Sequence, residues 1–176
     1  HAFTADNQDY LAYVCLIVSS GVISRAALQE CLIDEMGMTF PQFVRWADMR
    51  LATEVEWEKA ARGRDGREYP WGDDPPSPEM CNCDHATLGT SPVGRYSPQS
   101  DSPYGCGDMA GNVAEWSSTA GEGDGVRVVR GGAWPFVVEN NRVHARLEAH
   151  GARQTPYRGF RAIARQADEE EISERW

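Results

Sequence analysis

Apolar residues in the first part of the chain recur at helical spacing. Between Asp6 and Ser20 they fall three and four positions apart, which places them on one face of a helix. A second stretch of this kind runs from Ser24 to about Met36, and a short third one follows Pro41. The pattern therefore predicts three helices before the middle of the chain.

The clearest helix start lies at Thr53. Glu56 follows three residues later, and this spacing is typical of a capping box, in which hydroxyl and carboxylate satisfy two backbone amides reciprocally. We expect a helix from Thr53 to Ala61, with Trp57 and Ala60 facing inward, that ends before Gly63.

Little periodicity is present in the rest of the chain. From Pro70 to Gly107 it is interrupted by Pro, Ser, Gly and Asp, whereas Val126 to Val129 and Phe160 to Ala164 are typical of short strands. With 176 residues, seventeen Gly, ten Pro and no internal repeat, the sequence predicts one loop-rich domain of the α+β class.

Charge and hydropathy narrow the classes of partner. The net charge of −10 argues against binding to nucleic acid or to an anionic membrane, because both require a cationic surface. The apolar run Leu11 to Val18 is too short to span a bilayer, and no secretory signal precedes it. We therefore expect a cytoplasmic protein without membrane contact, and a solvated acidic tail at 166–176.

The cysteine content also favours a cytoplasmic location. Five cysteines cannot all pair within the chain. Cys15 and Cys31 lie in apolar contexts and are expected to be buried thiols, whereas Cys81-Asn82-Cys83 lacks the second Cys or His pair of a zinc site. Structural cysteines in a reducing compartment are the expected interpretation.

Five short motifs in fixed order carry the most information: Arg50-Leu51-Ala52-Thr53-Glu54, Tyr69-Pro70-Trp71-Gly72, Gly111-Asn112-Val113-Ala114-Glu115-Trp116, Arg130-Gly131-Gly132-Ala133-Trp134 and Gly159-Phe160-Arg161. Together they resemble the formylglycine-generating-enzyme (sulfatase-modifying-factor) family, whose domain is a variant of the C-type lectin fold. The resemblance implies a single domain over residues 1–165 that lacks the usual opening strand. We expect the core to be built from Leu51, Trp57, Ala60, Trp71, Trp116, Trp134 and Phe160.

The segment from Asp108 to Glu115 is a candidate calcium site. It offers two carboxylates around a Gly-containing turn, and calcium prefers six to eight oxygen ligands of mixed type. The resemblance implies ligation by the side chains of Asp108 and Glu115 and by the carbonyls of Gly111 and Val113. It also implies a second site that begins at Asn82.

The catalytic residues of the family are missing. The resemblance implies that two cysteines five positions apart bind copper and engage a substrate thiol, and these positions fall on Phe136 and Asn141, which supply no thiolate. We therefore expect no copper and no oxidation of cysteine to formylglycine. The resemblance also implies that Arg146 and Arg161 are structural arginines, which bridge carboxylates and loop carbonyls.

Two functional hypotheses remain. The first is a non-catalytic domain that binds an unknown protein or small ligand through residues 135–158, as in retroelement-diversified variable proteins that keep this scaffold. Its candidate binding residues are Phe136, Glu139, Asn140, Asn141, His144, Glu148, His150, Gln154 and Tyr157. The alternative is a related metal-dependent oxidoreductase that uses His144 and His150.

Overall fold

Residues 49–151 and 155–164 are described by the structure, a computed structural model. The three helices predicted before Arg50, the thiols of Cys15 and Cys31, Gln154 and the acidic tail lie outside the described residues. Within the described ranges, none of the helices has the length and apolar character that crossing a bilayer requires.

Short strands and one α-helix make up the regular structure. In chain order the described elements are β1 (Met49–Leu51), α1 (Glu54–Arg62), β2 (Ala114–Ala120), β3 (Val126–Arg130), a 3-10 helix (Val138–Asn141), β4 (Leu147–His150), β5 (Arg158–Phe160) and β6 (Ala162–Ala164). Between α1 and β2 the chain forms turns and bends, with a single isolated bridge between Tyr69 and Gly72. This is the mixed, loop-rich architecture that the sequence predicts.

Helix α1 begins as predicted. Thr53 is extended, its hydroxyl accepts a bond from the Glu56 amide at 3.2 Å, and a Glu56 carboxylate oxygen accepts one from the Thr53 amide at 2.9 Å. Arg50 extends the cap, because its guanidinium donates to both Glu56 oxygens, at 2.7 and 2.6 Å. Gly63, at φ 73°, ends the helix in a conformation that residues with a Cβ rarely adopt.

Two sheets organise the described part of the fold. The larger has the strand order β4-β3-β2-β5, in which β2 is antiparallel to β3 and parallel to β5. The smaller pairs β1 with β6 in antiparallel register, from Met49 opposite Ala164 to Leu51 opposite Ala162. The single strand predicted from Phe160 to Ala164 is therefore two strands in two sheets, interrupted at Arg161.

The buried core differs from the prediction. Trp57 is buried, but Leu51, Ala60, Trp71, Trp116, Trp134 and Phe160 are only partly buried. One cluster lies beside α1 and combines Trp57 with smaller side chains (Ala52, Ala61, Met109, Val143), and another lies on the sheet (Ala114, Val129, Ala133, Ala149). Large aromatic rings are rarely enclosed completely, and Trp116 accordingly packs against the sheet cluster while half-buried.

Candidate functional site

Glu115 lies between the larger sheet and helix α1. It is on β2, is 6% exposed, and accepts a hydrogen bond from the indole nitrogen of Trp57 at 2.7 Å. Arg161 donates to both carboxylate oxygens, from Nε at 3.0 Å and from Nη2 at 3.1 Å, and also to the Gly107 carbonyl at 2.9 Å. Arg161 is therefore the structural arginine that the sequence predicts.

The turn that precedes β2 is built from positive-φ residues. Asp108, Gly111 and Asn112 have φ values of 54°, 78° and 63°. Gly111 has to be glycine for two reasons. Residues with a Cβ rarely adopt its φ, and an added Cβ would clash with the backbone carbonyl of Asn82. Asn112 ties the turn to a neighbouring loop, because its side-chain oxygen accepts from the Ser91 amide at 2.8 Å and its amide donates to the Ser91 carbonyl at 3.1 Å.

Asp108 is partly buried beside this turn. One of its oxygens accepts a bond from the Gly94 amide at 2.5 Å. Burial raises the pKa of Asp108 above its usual range, although the Gly94 amide and the charge of Arg161 act in the opposite direction. Glu115 adds to the rise, so the two carboxylates are near enough to repel each other.

The predicted calcium donors lie in one region, but their oxygens are not all free. Both oxygens of Glu115 are engaged by Arg161 and Trp57, so a calcium ion bound to Glu115 would have to displace a guanidinium that already neutralises it. Asn82 is completely buried, its oxygen accepts from Thr87 and its nitrogen donates to the Gly89 carbonyl. Across residues 49–151 and 155–164, three or more His, Cys, Asp or Glu side chains nowhere converge as a metal cluster. Calcium here stays a prediction.

The two positions that replace the family cysteines serve packing. The ring of Phe136 meets that of Tyr157 at 5.4 Å with a tilt of 59°. Asn141 is completely buried, and its amide donates to the carbonyls of Val137 at 2.8 Å and Phe136 at 3.3 Å. The prediction that Asn141 belongs to a ligand-binding surface is corrected, because its side chain holds the start of the 3-10 helix from inside. Its oxygen has no hydrogen-bond partner.

Of the other predicted binding residues, Glu148 and His150 lie on β4, whereas Glu139, Asn140 and His144 precede this strand in the chain. Successive side chains of a strand point to opposite sides, so Leu147 and Ala149 share one face of β4 while Glu148 and His150 take the other. Glu148 accepts from Arg146 at 2.6 Å and from the Glu122 amide at 3.0 Å. Glu139 and His144 are exposed, whereas Asn140 is half-buried.

An aromatic cluster covers one face of the larger sheet. We call it the aromatic face and define it by Trp116, Phe136, Leu147, Tyr157 and Arg158, all half-buried; the first four pack against the sheet cluster. The guanidinium of Arg158 lies 5.4 Å from the Trp116 ring and 5.8 Å from the Tyr157 ring. Sequence reasoning missed Arg158 as a site residue, because only the parallel pairing of β5 with β2 brings it to Trp116.

A third arginine has a larger structural role than the sequence indicates. Arg130 is 2% exposed and donates to Glu54 at 2.5 Å, to Glu58 at 2.7 Å and to the Val143 carbonyl at 2.6 Å. Arg146, which was expected to be structural, pairs with Glu54 and Glu148 while remaining exposed. Arg130 therefore ties helix α1 to strand β3 through two of the helix's glutamates.

Comparison with known proteins places these features in a family. A family model described as "Sulfatase-modifying factor enzyme 1-like domain" matches residues 40–166. Hercynine oxygenase of Mycolicibacterium thermoresistibile is 35% identical over 147 residues, covering 68% of this chain and 32% of the relative. An inactive C-alpha-formylglycine-generating enzyme 2 from Bos taurus is 36% identical over 116 residues, covering 58% of this chain and 38% of the relative.

Further similarity comes from an enzyme sequence and from solved structures. The formylglycine-generating enzyme of Mycobacterium tuberculosis is 43% identical over 90 residues, covering 44% of this chain and 29% of the enzyme. Treponema denticola variable protein 1 superimposes with a TM-score of 0.54 at 27% identity, over 65% of this chain and 46% of that protein. PvdO from Pseudomonas aeruginosa, with a TM-score of 0.59 at 23% identity over 68% of this chain and 56% of that one, shares the fold.

The chain spans about a third of the length of the curated relatives it matches. The family model nevertheless covers most of the chain, and the fold of the solved relatives agrees with it. This chain belongs to the formylglycine-generating-enzyme (sulfatase-modifying-factor) family and has its α+β, C-type-lectin-like fold.

Proposed function

We propose that this domain is a non-catalytic recognition module that binds a protein or small ligand through the aromatic face. One observation supports this above the others: the two positions that would carry the family's thiolates hold Phe136, which packs on Tyr157, and Asn141, which is buried and bonded to its own loop. Neither side chain offers a soft metal ligand.

The composition of the aromatic face suits binding. Trp116, Phe136 and Tyr157 present large rigid rings that lose little conformational freedom when a ligand covers them, and Arg158 adds a charge that is already oriented by two rings. Aromatic side chains and arginine are the residue types that dominate binding energy in interfaces. Val137, next to Phe136, is 54% exposed and extends the apolar area.

Two relatives support a function without oxidase chemistry. One carries the name inactive C-alpha-formylglycine-generating enzyme 2, and one solved structure is a variable protein of Treponema denticola. We propose that residues 135–158 diversify among close relatives of this chain, as in retroelement-diversified proteins. Sequences from several strains test this directly, because diversification concentrates changes at Phe136, Tyr157 and their exposed neighbours. An invariant segment contradicts it.

The competing function is a metal-dependent oxidoreductase. The 35% identity to hercynine oxygenase and the 43% identity to a formylglycine-generating enzyme favour it. In this alternative His144 and His150, both exposed, contribute ligands to a metal site. Metal-dependent turnover that disappears in His144→Ala and His150→Ala would support the enzyme.

Calcium remains part of the proposal as a structural ion. Asp108 is the best-placed ligand, since its carboxylate is partly buried and a bound cation would relieve its unfavourable charge. We also propose a cytoplasmic location, supported by three free cysteines among the described residues, Cys81, Cys83 and Cys106.

The recognition proposal is tested by comparing how much of a bound partner wild-type protein and matched variants retain. Phe136→Ala and Tyr157→Ala should retain less of a partner that wild-type protein captures on beads from cells of its own source. Capture is measured at a temperature at which circular dichroism shows each variant folded, because both half-buried rings also pack against the sheet cluster. Tyr104→Ala is the control, because Tyr104 is 51% exposed and lies outside the aromatic face. Equal retention by all variants would contradict binding through the aromatic face.

A further inference from the structure

Two buried cysteines face each other in the loop between α1 and β2. The sulfur atoms of Cys81 and Cys83 are 3.0 Å apart, and the residues are 1% and 5% exposed. A disulfide has a sulfur–sulfur bond of about 2.05 Å, so closing this pair requires a movement of about 1 Å. The two sulfurs already lie in contact and need no large change in the backbone.

Backbone hydrogen bonds hold the pair from both sides. The Cys81 amide donates to the Ser77 carbonyl at 3.1 Å, and the Cys83 carbonyl accepts from the Ala86 amide at 2.9 Å. Between the two cysteines, the Asn82 carbonyl accepts from the Asn112 amide at 2.7 Å. These bonds keep the thiols facing each other, and no third metal-ligating side chain joins them in the described structure.

We propose that Cys81 and Cys83 form a redox site, in which a small hydroperoxide converts the two thiols into an intrachain disulfide and a dithiol reductant reverses the reaction. Because the residues are 1% and 5% exposed, small reagents are the class that can approach the sulfurs, hydrogen peroxide for the oxidation and a small dithiol for the reversal. Cys81 and Cys83 are not the positions of the family's thiolates, which Phe136 and Asn141 occupy in this chain.

The chemistry balances in two steps. The thiolate of one cysteine attacks an oxygen of hydrogen peroxide, so that a sulfur–oxygen bond forms, the oxygen–oxygen bond breaks, and the leaving hydroxide takes a proton to become water. The sulfur of the other cysteine then attacks the sulfenic sulfur, and the departing hydroxide takes the proton of the attacking thiol as a second water. The two thiols together lose two electrons, and the peroxide gains them.

The contact between the two thiols fixes the partners of the reaction rather than their order. The Cys81 thiol donates a hydrogen bond to the Cys83 sulfur at 3.0 Å, so whichever sulfur is oxidised first has the other within reach as the resolving thiol.

The redox pair is connected to the loop that carries the aromatic face. The Asp84 amide donates to the Phe136 carbonyl and the His85 amide to the Trp134 carbonyl, each at 2.9 Å. Asp84 and His85 both have positive φ, 48° and 57°, directly after Cys83. Two backbone hydrogen bonds therefore join the segment after Cys83 to residues 134–136.

Peptide mapping after peroxide treatment tests the proposal on the wild-type protein. Trypsin releases residues 68–95 as one peptide that contains only Cys81 and Cys83, whereas Cys106 falls in the next peptide. After treatment with hydrogen peroxide and then an alkylating reagent, this peptide should carry no alkyl group and should be two hydrogen masses lighter than the reduced peptide. Dithiothreitol added before alkylation should restore both adducts. The Cys106→Ser variant should give the same result, and Cys81→Ser should leave a sulfenic acid on Cys83 that dimedone traps.

Full alkylation of both thiols after peroxide treatment overturns the proposal. Oxidation of Met80 in the same peptide then shows that the reagent reached this segment. A crosslink from Cys81 or Cys83 to the Cys106 peptide, or to a peptide with Cys15 or Cys31, also overturns it.

Discussion

Replacing Glu115 by Gln should destabilise the domain strongly, because this carboxylate joins helix α1 to the C-terminal Gly159-Phe160-Arg161 motif. The side chain accepts three hydrogen bonds, two from Arg161 and one from Trp57, while only 6% of the residue is exposed. Glutamine keeps the shape of the side chain but removes the charge, and its amide group faces the donors of Arg161.

The size of the effect follows from burial. Removing one partner of a buried ion pair costs about 3–5 kcal/mol, because the other charge is left without compensation. Arg161 keeps about a quarter of its side chain exposed, so we expect the lower end, about 3 kcal/mol. With a urea slope of about 2 kcal/mol per molar, the midpoint of unfolding should fall by about 1.5 M. The measurement is made with chelator present, so that calcium does not contribute.

Arg50→Gln is the matched control. Arg50 pairs with Glu56 at 2.6 Å, but both side chains are more than 40% exposed, and exposed pairs contribute about 0–1 kcal/mol. A double-mutant cycle of Glu115→Gln with Arg161→Gln should show a combined loss smaller than the sum of the two single losses. If Glu115→Gln and Arg50→Gln shift the midpoint equally, the assigned role of Glu115 is refuted.

Three further predictions concern stability. Arg130→Met should lower the free energy of unfolding by about 1–3 kcal/mol, since it removes the donor that the buried Val143 carbonyl and two partly buried glutamates share; an unchanged urea midpoint contradicts this. The Arg50 guanidinium, followed by the Thr53 amide and hydroxyl, lowers the pKa of Glu56 from 4.5 to about 2. Glu56 therefore stabilises the domain above pH 4.5, and this stabilisation is lost as the pH falls towards 2. In Glu56→Gln the urea midpoint should decrease less over the same pH range than it does in wild type. The calcium proposal predicts a lower melting temperature of wild type in chelator and no such change in Asp108→Asn, which removes the charge of the best-placed ligand; a wild type that is insensitive to chelator contradicts the proposal.

Local features of the fold are readable from the sequence. The capping box at Thr53 and Glu56 depends on residues three positions apart, and the structure has both of its hydrogen bonds. The β-branched run from Val126 predicts β3 for the same reason. The ordered motifs identify the family. The fold fixes the glycine of one motif, since a side chain at Gly111 would clash with the Asn82 backbone.

Features that depend on distant parts of the chain are not readable. Arg130 is buried because α1, more than 70 positions earlier, presents Glu54 and Glu58 to it. The aromatic face requires β5 to pair in parallel with β2, which no local pattern encodes. Asn141 looks like a surface amide in sequence, and only the 3-10 helix turns it inward.

The most direct test of the recognition proposal is the product mass of a cysteine-containing sulfatase peptide incubated with this protein, copper and oxygen. An active formylglycine-generating enzyme serves as the positive control, and a reaction without protein sets the background. We predict an unchanged peptide, because Phe136 and Asn141 cannot supply the two thiolates. Formylglycine above background would contradict the proposal and establish the domain as an enzyme.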